Sequence, residues 1–456
     1  MKHGRVSVVL SVAVVAGSLS LPASANPFET TLDNGLKVVV KEDRRAPSVV
    51  NMVWYRVGAI DEIDGSTGVA HVLEHMMFKG TDSLPAGEFN KRVAGMGGKD
   101  NAFTSRDYTA YFQQVPAARI GDVIALEADR MRHLNFSDDD FAKEIEVVKE
   151  ERRLRTDDKP HSLVYEQLMA TAFVAHPYRR PVIGWMTDLD RMKADDARDW
   201  YATWYAPNNA TVVVVGDVDH EEIFAKVREA FGDFKAEALP DRREIVEPAQ
   251  AGPRRSVVRA PAELPYVAMA WRAPTLRDID KDRDVYALQV LAAVLDGHEG
   301  ARIPKHVVRG SQVAVSAGAG YDGTGRGESV FIVDGTPSQG KTVADVEAAL
   351  VAEIARVRDE GISDAELSRV KAQVIAGQVY KRDSLMGQAM EIGAMDAIGM
   401  SWQDDERMIE MLRSVTAEEV KAVAGRYFSD DSLSVAVLEP QPVENKPRTR
   451  LAGARH

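Results

Sequence analysis

The feature that most restricts the fold is that the second half of the chain reads as a diverged copy of the first. Val50-Asn51-Met52-Val53-Trp54 has a counterpart in Val267-Ala268-Met269-Ala270-Trp271. Ala194-Asp195-Asp196-Ala197 leads through Trp204-Tyr205 into Thr211-Val212-Val213-Val214. Ala417-Glu418-Glu419-Val420 leads likewise through Tyr427-Phe428 into Ser434-Val435-Ala436-Val437. Matching helix-then-strand endings at similar offsets argue for duplication. Both halves mix antiparallel-looking strands with long helices. The expected fold class is therefore α+β, with two homologous domains, each a mostly antiparallel sheet packed with helices.

Within the first half, Thr31–Val40 reads as strand, Asn-Gly turn and strand, a hairpin signal. Val49–Val57 is a further strand, and the stretch Gly68–Thr81 reads as a helix. Another helix starts near Ser83 and breaks at Gly95-Met96-Gly97-Gly98. Asn101–Val115 alternates and is rich in Thr, Tyr and Phe, so it reads as one strand ending at Pro116. Helices follow at 117–134, 138–155 and 161–173, then 194–205, a buried strand at 211–217 and a helix at 220–231. Asp233–Pro253 is polar and carries Pro240, Pro248 and Pro253. These signals divide the chain into a first domain at 26–235, a linker at 236–255, a second domain at 256–440 and a disordered tail at 441–456. With 456 residues, 45% of them hydrophobic, there is material for two cores.

The first 25 residues stand apart. A basic start with Lys2 and Arg5 precedes an apolar, small-residue run from Val6 to Leu21, and Ala23-Ser24-Ala25 offers a small-x-small cleavage site. This is the pattern of a secretory signal peptide cut after Ala25. The apolar run, about 16 residues, is short for a membrane span. Export by this route points to the periplasm, with no membrane span after cleavage. The chain has no cysteine, so any metal site must use nitrogen and oxygen ligands. The formal charge of −13 becomes −15 once Lys2 and Arg5 are removed, which argues against nucleic acid as a partner.

Gly68–Thr81 carries the chemistry. On a helix, His71 and His75 stand one turn apart on one face, and Glu74 lies close enough in angle to reach the same point. Two imidazoles beside a carboxylate make an incipient zinc site with a group free to handle protons. His-x-x-Glu-His reverses the commoner metalloprotease order His-Glu-x-x-His. A third ligand is available on the helix at 138–155. There Glu144 and Glu151 lie seven residues apart, two turns along one face, with Glu150 a competitor. His133, His161 and His176 fall outside any ligand spacing and read as structural or exposed.

Taken together, Gly68-x-Ala70-His71-x-x-Glu74-His75-Met76-x-Phe78-Lys79-Gly80-Thr81 resembles the inverted-zincin peptidases of family M16, which includes pitrilysin, insulin-degrading enzyme and mitochondrial processing peptidase. Gly98–Ser105 resembles that family's Asn-Ala-x-Thr strand, and the helix with Glu144 and Glu151 its distal glutamate pair. The resemblance covers nearly all of the chain after residue 25. It implies the family's LuxS/MPP-like metallohydrolase fold and a zinc-dependent endopeptidase acting on peptides or unfolded segments. It also implies one zinc per chain held by His71, His75 and Glu151, with Glu74 as base. Glu144 would hydrogen-bond a ligand from behind, and Asn101 and Ala102 would line the substrate cleft on an edge strand.

One departure matters. Family members that act as single chains or homodimers offer an Arg and a Tyr, seven apart, from the second domain. Here Arg302 and Arg309 have no tyrosine at that offset; Ala314 or Val315 stands near it, and the nearest tyrosine is Tyr321. The second half also lacks a zinc motif, since His298-Glu299 has no second histidine at helical spacing. The expectation is the zinc-bearing subunit of a heterodimer, with a homodimer as the other arrangement. A non-catalytic assembly subunit is the competing class, and the intact His71, Glu74, His75 and Glu151 set argues against it. A small-molecule zinc hydrolase is disfavoured by the long duplicated architecture.

Overall fold

A computed structural model describes residues 27–442; the expected signal peptide and the tail from residue 443 lie outside the described residues. The first half builds a six-stranded sheet from β1 (Phe28–Thr31), β2 (Lys37–Glu42), β3 (Ser48–Tyr55), β4 (Lys99–Thr104), β5 (Thr109–Pro116) and β6 (Ala210–Gly216). Its order is β1-β2-β6-β3-β5-β4. The second half builds a five-stranded sheet from β7 (Arg254–Pro261), β8 (Tyr266–Ala273), β9 (Ala314–Tyr321), β10 (Ser329–Pro337) and β11 (Leu433–Gln441), in the order β7-β11-β8-β10-β9. The two orders superimpose: β2, β6, β3, β5, β4 correspond to β7, β11, β8, β10, β9, and β1 is an addition. Each sheet is antiparallel except for one parallel pair, β2 with β6 and β7 with β11. The repeated sequence segments therefore occupy matching strands, β3 with β8 and β6 with β11.

The Asn-Gly turn closes the β1–β2 hairpin as expected. Gly35 adopts φ +85°, and the buried Asn34 amide donates to the carbonyls of Phe231 (2.8 Å) and Phe234 (3.0 Å). The single strand expected over 101–115 is instead two strands, β4 and β5, paired antiparallel with Asn101 opposite Phe112. The reason is local. Ser105 Oγ accepts from the Asp107 and Tyr108 N–H groups (3.1 Å each), so a serine turn reverses the chain inside an unbroken β-like pattern. The helix expected over 138–155 is α-helical only to Arg152 and ends in a π turn at Arg153–Asp157. β7 starts at Arg254, inside the span expected for the linker, and β11 runs to Gln441.

The stretch between the sheets is pinned rather than free. Glu247 accepts three backbone N–H groups, from Val174, Ala175 and His176 (2.7–2.8 Å). Arg242 reaches Asp61 at 2.9 Å.

The two halves exchange helices. The helix Pro160–Ala172 of the first half lays Val164, Leu168, Met169 and Ala172 on the second sheet, against Ala268, Ala270, Ala436 and Leu438. The helix Leu385–Ala397 of the second half does the converse, packing Ala389, Ile392 and Ala397 on Val50, Met52, Trp54 and Val213 of the first sheet. Gly393 lies so close to the Trp54 ring that a Cβ there would sit 2.0 Å from Trp54 Cε2. No described helix is long and apolar enough to cross a membrane.

Polar locks accompany this exchange. Both Asp61 oxygens accept from Arg326 of the second half (2.7 and 2.8 Å). Asp396 accepts from Arg56 (2.8 Å) and Thr211 (2.5 Å) and pairs with Lys37 (2.7 Å) across the boundary. Burial pushes the Asp396 carboxyl up, but Arg56, Lys37 and Thr211 outweigh it and hold it below the usual range. A depressed folded pKa means a contribution present above the unfolded value near 3.8 and lost as pH falls through the folded one. Asp396→Asn is expected to cost about 2 kcal/mol at neutral pH. That is less than for a fully buried pair, because Lys37 and Arg56 keep 20% and 27% exposure. In urea melts across pH, the gap to wild type should stay constant down to about pH 4 and then close; a gap that persists at pH 2 would refute the assignment.

Candidate metal centre

The helix α1 (Val69–Met76) begins at Gly68, which has φ +89° and no side chain to cap it. Glu62 supplies the cap from the preceding loop, accepting from the Gly68 N–H (2.9 Å) and the Ala70 N–H (3.0 Å). Glu62 is 3% exposed, and burial pushes its carboxyl up to about 8 against the pull of those two N–H groups. Gly68 is required twice over: a Cβ there would meet Ile183 O at 2.6 Å, and its φ is left-handed. Val69, Val72, Leu73 and Met76 face the core of the first half, which leaves His71, Glu74 and His75 directed to the other side.

Opposite lies the longer helix Asp138–Arg152. Ser137 caps it, with Ser137 Oγ accepting from the Asp140 N–H and Asp140 accepting from the Ser137 N–H (3.1 Å each). Asp138, Asp139 and Asp140 in its first turn suit the positive end of the helix dipole. Phe141, Ile145 and Val148 enter the core, so Glu144 and Glu151, two turns apart, both face α1.

The structure brings His71, His75 and Glu151 together. One donor atom from each lies within 4.8 Å of the others. His75 Nε2 is 3.2 Å from Glu151 Oε2, and His71 Nε2 is 3.9 Å from Glu151 Oε1. Ligand atoms about 2.1 Å from a tetrahedral ion stand roughly 3.4 Å apart, so the spacing and the two-nitrogen, one-oxygen chemistry fit zinc. Glu144 is apart from this set. Its Oε1 lies 2.9 Å from His75 Nδ1 and its Oε2 pairs with Lys79 Nζ. Glu150 points elsewhere, to Arg153.

The electrostatics separate the two histidines. Burial, then the charge of His75, holds His71 well below its ordinary value, so His71 is neutral. Burial lowers His75 too, but hydrogen bonds to Glu144 and Glu151 outweigh it and raise it to about 9. A cation between His75 Nε2 and Glu151 would compete with that proton. Glu151 is held below the usual range, first by the His75 hydrogen bond. Glu74 goes the other way: burial pushes it up, although its Oε2 accepts from Thr104 Oγ1 at 2.5 Å.

Thr104 comes from β4, the last strand of its sheet, which has no neighbour on its outer side among the described residues. Asn101 and Ala102 lie on the same strand. Asn101 is exposed, and its Oδ1 accepts from the Ala102 N–H at 2.9 Å. The sequence motifs include Lys79 and Thr104 without giving either a role, and they leave out Arg155 and Glu62. Lys79 and Arg155 could have been found by spacing, since each follows a site residue by four. Arg155 Nη1 bonds Glu151 Oε1 at 2.6 Å from an exposed position. Thr104 closes the Asn-Ala-x-Thr run and could have been found there; Glu62 carries no such signal.

The remaining candidates fall outside this cluster. His133 pairs with Asp129 (2.9 Å), His161 stacks on Tyr266, and His176 Nδ1 accepts from the Tyr178 N–H (3.2 Å). In the second half His298 accepts from the Gly300 N–H. Arg302 is tied to Glu366 and Arg309 to Glu299. Val315 is exposed and Ala314 buried.

Two family models match: "Insulinase (Peptidase family M16)" over residues 37–185 and "Peptidase M16 inactive domain" over residues 191–374. The chain is 31% identical over 454 residues to the zinc protease PqqE of Helicobacter pylori, covering 96% of this chain and 100% of that one. It is 30% identical over 427 residues to the uncharacterized zinc protease Rv2782c of Mycobacterium tuberculosis, covering 92% and 94%. Among solved structures, a protease from Helicobacter pylori superimposes with a TM-score of 0.86 at 30% identity, covering 91% of this chain and 100% of that one. With both halves matched and the reversed histidine motif in place, the chain belongs to peptidase family M16.

Proposed function

We propose that this protein is a zinc-dependent endopeptidase that cuts peptides or unfolded protein segments. The observation that carries this reading is the meeting of His71, His75 and Glu151 from two helices that lie far apart along the chain. In this reading His71, His75 and Glu151 hold one zinc ion, and Glu144 orients His75 from behind. Bound zinc supplies Lewis-acid chemistry, bringing the pKa of water towards about 7 and polarising the scissile carbonyl.

The rest falls to the chain's own side chains. Glu74, with its Oε2 engaged by Thr104, has Oε1 to take a proton from the attacking water and to pass it to the departing amine nitrogen. Its burial brings the carboxyl pKa closer to the working pH, which makes it a stronger base than an exposed glutamate. An extended substrate adds to the open edge of β4 beside Asn101 and Ala102, held by main-chain hydrogen bonds. Metal analysis and a quenched-peptide assay on wild type and Glu74→Gln test this. One zinc per chain is expected in both, with hydrolysis reduced by about 10²- to 10⁴-fold in the variant. Cleavage at the wild-type rate in Glu74→Gln would remove Glu74 from its role.

The chain is further read as the zinc-bearing subunit of a heterodimer. Arg302 and Arg309 are both engaged by acids of their own half, and Val315, near the position of the family's tyrosine, has no side-chain hydrogen-bonding atom. A homologue without the histidines but with the Arg-Tyr pair is the expected partner. Mixing the two should raise peptide turnover well above that of this chain alone. Equal turnover with and without the partner would favour a homodimer or a self-sufficient chain.

The leader pattern at 1–25 supports export of the mature protein to the periplasm. Protein recovered from a periplasmic fraction should begin at Asn26 by terminal sequencing; an intact Met1 start in the cytoplasm would refute export.

A further inference from the structure

Lys79 belongs to the Phe78-Lys79-Gly80-Thr81 run, to which the proposed chemistry assigns nothing. It follows His75 by four residues, with its N–H donating to the Met76 carbonyl at 2.9 Å as the chain leaves α1. His75 and Lys79 thus project from one side of the same helix end and reach the same carboxylate on the facing helix. His75 Nδ1 takes Glu144 Oε1 (2.9 Å), and Lys79 Nζ takes Glu144 Oε2. Both oxygens of Glu144 are engaged, and its side chain is 12% exposed against 28% for Lys79. Glu151 lies two turns further along that helix.

We infer that Lys79 is a positioning residue for the metal centre: with His75 it clamps Glu144, and this clamp sets the register of the two helices at which Glu151 meets both imidazoles. The inference rests on the zinc reading above and goes one layer beyond it. A carboxylate gripped on one oxygen alone can rotate about its last torsion and carry His75 with it. Gripped on both, it presents Oε1 to Nδ1 and turns Nε2 towards Glu151. His71 offers no comparable support, since its Nδ1 is buried without a hydrogen-bond partner among the described residues. Outer support of the imidazole pair therefore runs through Glu144, and Lys79 is what keeps Glu144 in place.

The test is zinc affinity, read by competition with a chromophoric chelator on the full mature chain. Lys79→Met is expected to bind zinc about 10- to 100-fold more weakly, the range found for groups that orient ligands. Lys79→Arg should recover most of the loss. Because Lys79 acts through Glu144, Lys79→Met should add little in a Glu144→Gln background. Zinc-free Lys79→Met should melt only slightly below zinc-free wild type, by the loss of one partly exposed ion pair, which a general loss of packing would exceed. Lys79→Gln is the milder second variant should the methionine protein not fold, and its zinc affinity must also fall. Wild-type affinity in Lys79→Met or Lys79→Gln, or an equal loss with and without Glu144, overturns the inference. Failure of wild type itself to bind zinc would instead sink the metal reading, and this one with it.

Discussion

The structure depends on the contact between α1 and the helix Asp138–Arg152, because His71, His75 and Glu151 meet in the gap between them. The two helices are brought together by apolar faces that join one core, Val72, Leu73 and Met76 from one and Phe141, Ile145 and Val148 from the other. That burial is non-directional and sets only proximity. Polar contacts set the rest: His75 to Glu144 on one side, His75 to Glu151 on the other. A buried polar group without its partner is costly. The arrangement of acids and imidazoles is therefore held by the same desolvation that gives them unusual pKa values.

The second half serves the first. Its sheet repeats the topology without histidines at helical spacing, yet its helix Leu385–Ala397 covers the first sheet. Its Arg326 donates to both carboxylate oxygens of Asp61. Asp61 adjoins Glu62, the residue that caps α1. A short path thus runs from the second half to the helix that bears both histidines. The duplicated domain packs on the first through the exchanged helices, and Arg242 and Glu247 tie down the stretch between the sheets.

The three carboxylates of the site show how environment divides labour among like groups. Glu151 and Glu144 are held below the usual carboxylate range by histidine and cation contacts, as the proposed ligand and its support would require. Glu74 has one hydroxyl donor and a buried setting, so its proton affinity rises. Three glutamates with the same intrinsic acidity become unequal through what each touches.

Much of this was legible in the sequence. Local periodicity and spacing were enough for the repeat, the elements, the His71-x-x-Glu74-His75 face and the Glu144/Glu151 stripe, because a helix converts sequence offset directly into angle. The β4–β5 turn was not, since Ser105 reverses the chain within an uninterrupted alternating pattern. The seven-residue offset from Glu144 and the family resemblance favoured Glu151 over Glu150, but the distances to the imidazoles were not in the sequence. Offsets place all three on one helix, but only the packing of that helix on α1 decides which one reaches. Thr104 over Glu74, Glu62 at the start of α1, and the trading of helices between sheets are contacts between segments distant along the chain, for which no local pattern exists. Offsets along the chain were enough to say which side chains share a face. Which faces meet was decided by the tertiary fold, because that depends on how two cores and their exchanged helices fill space together.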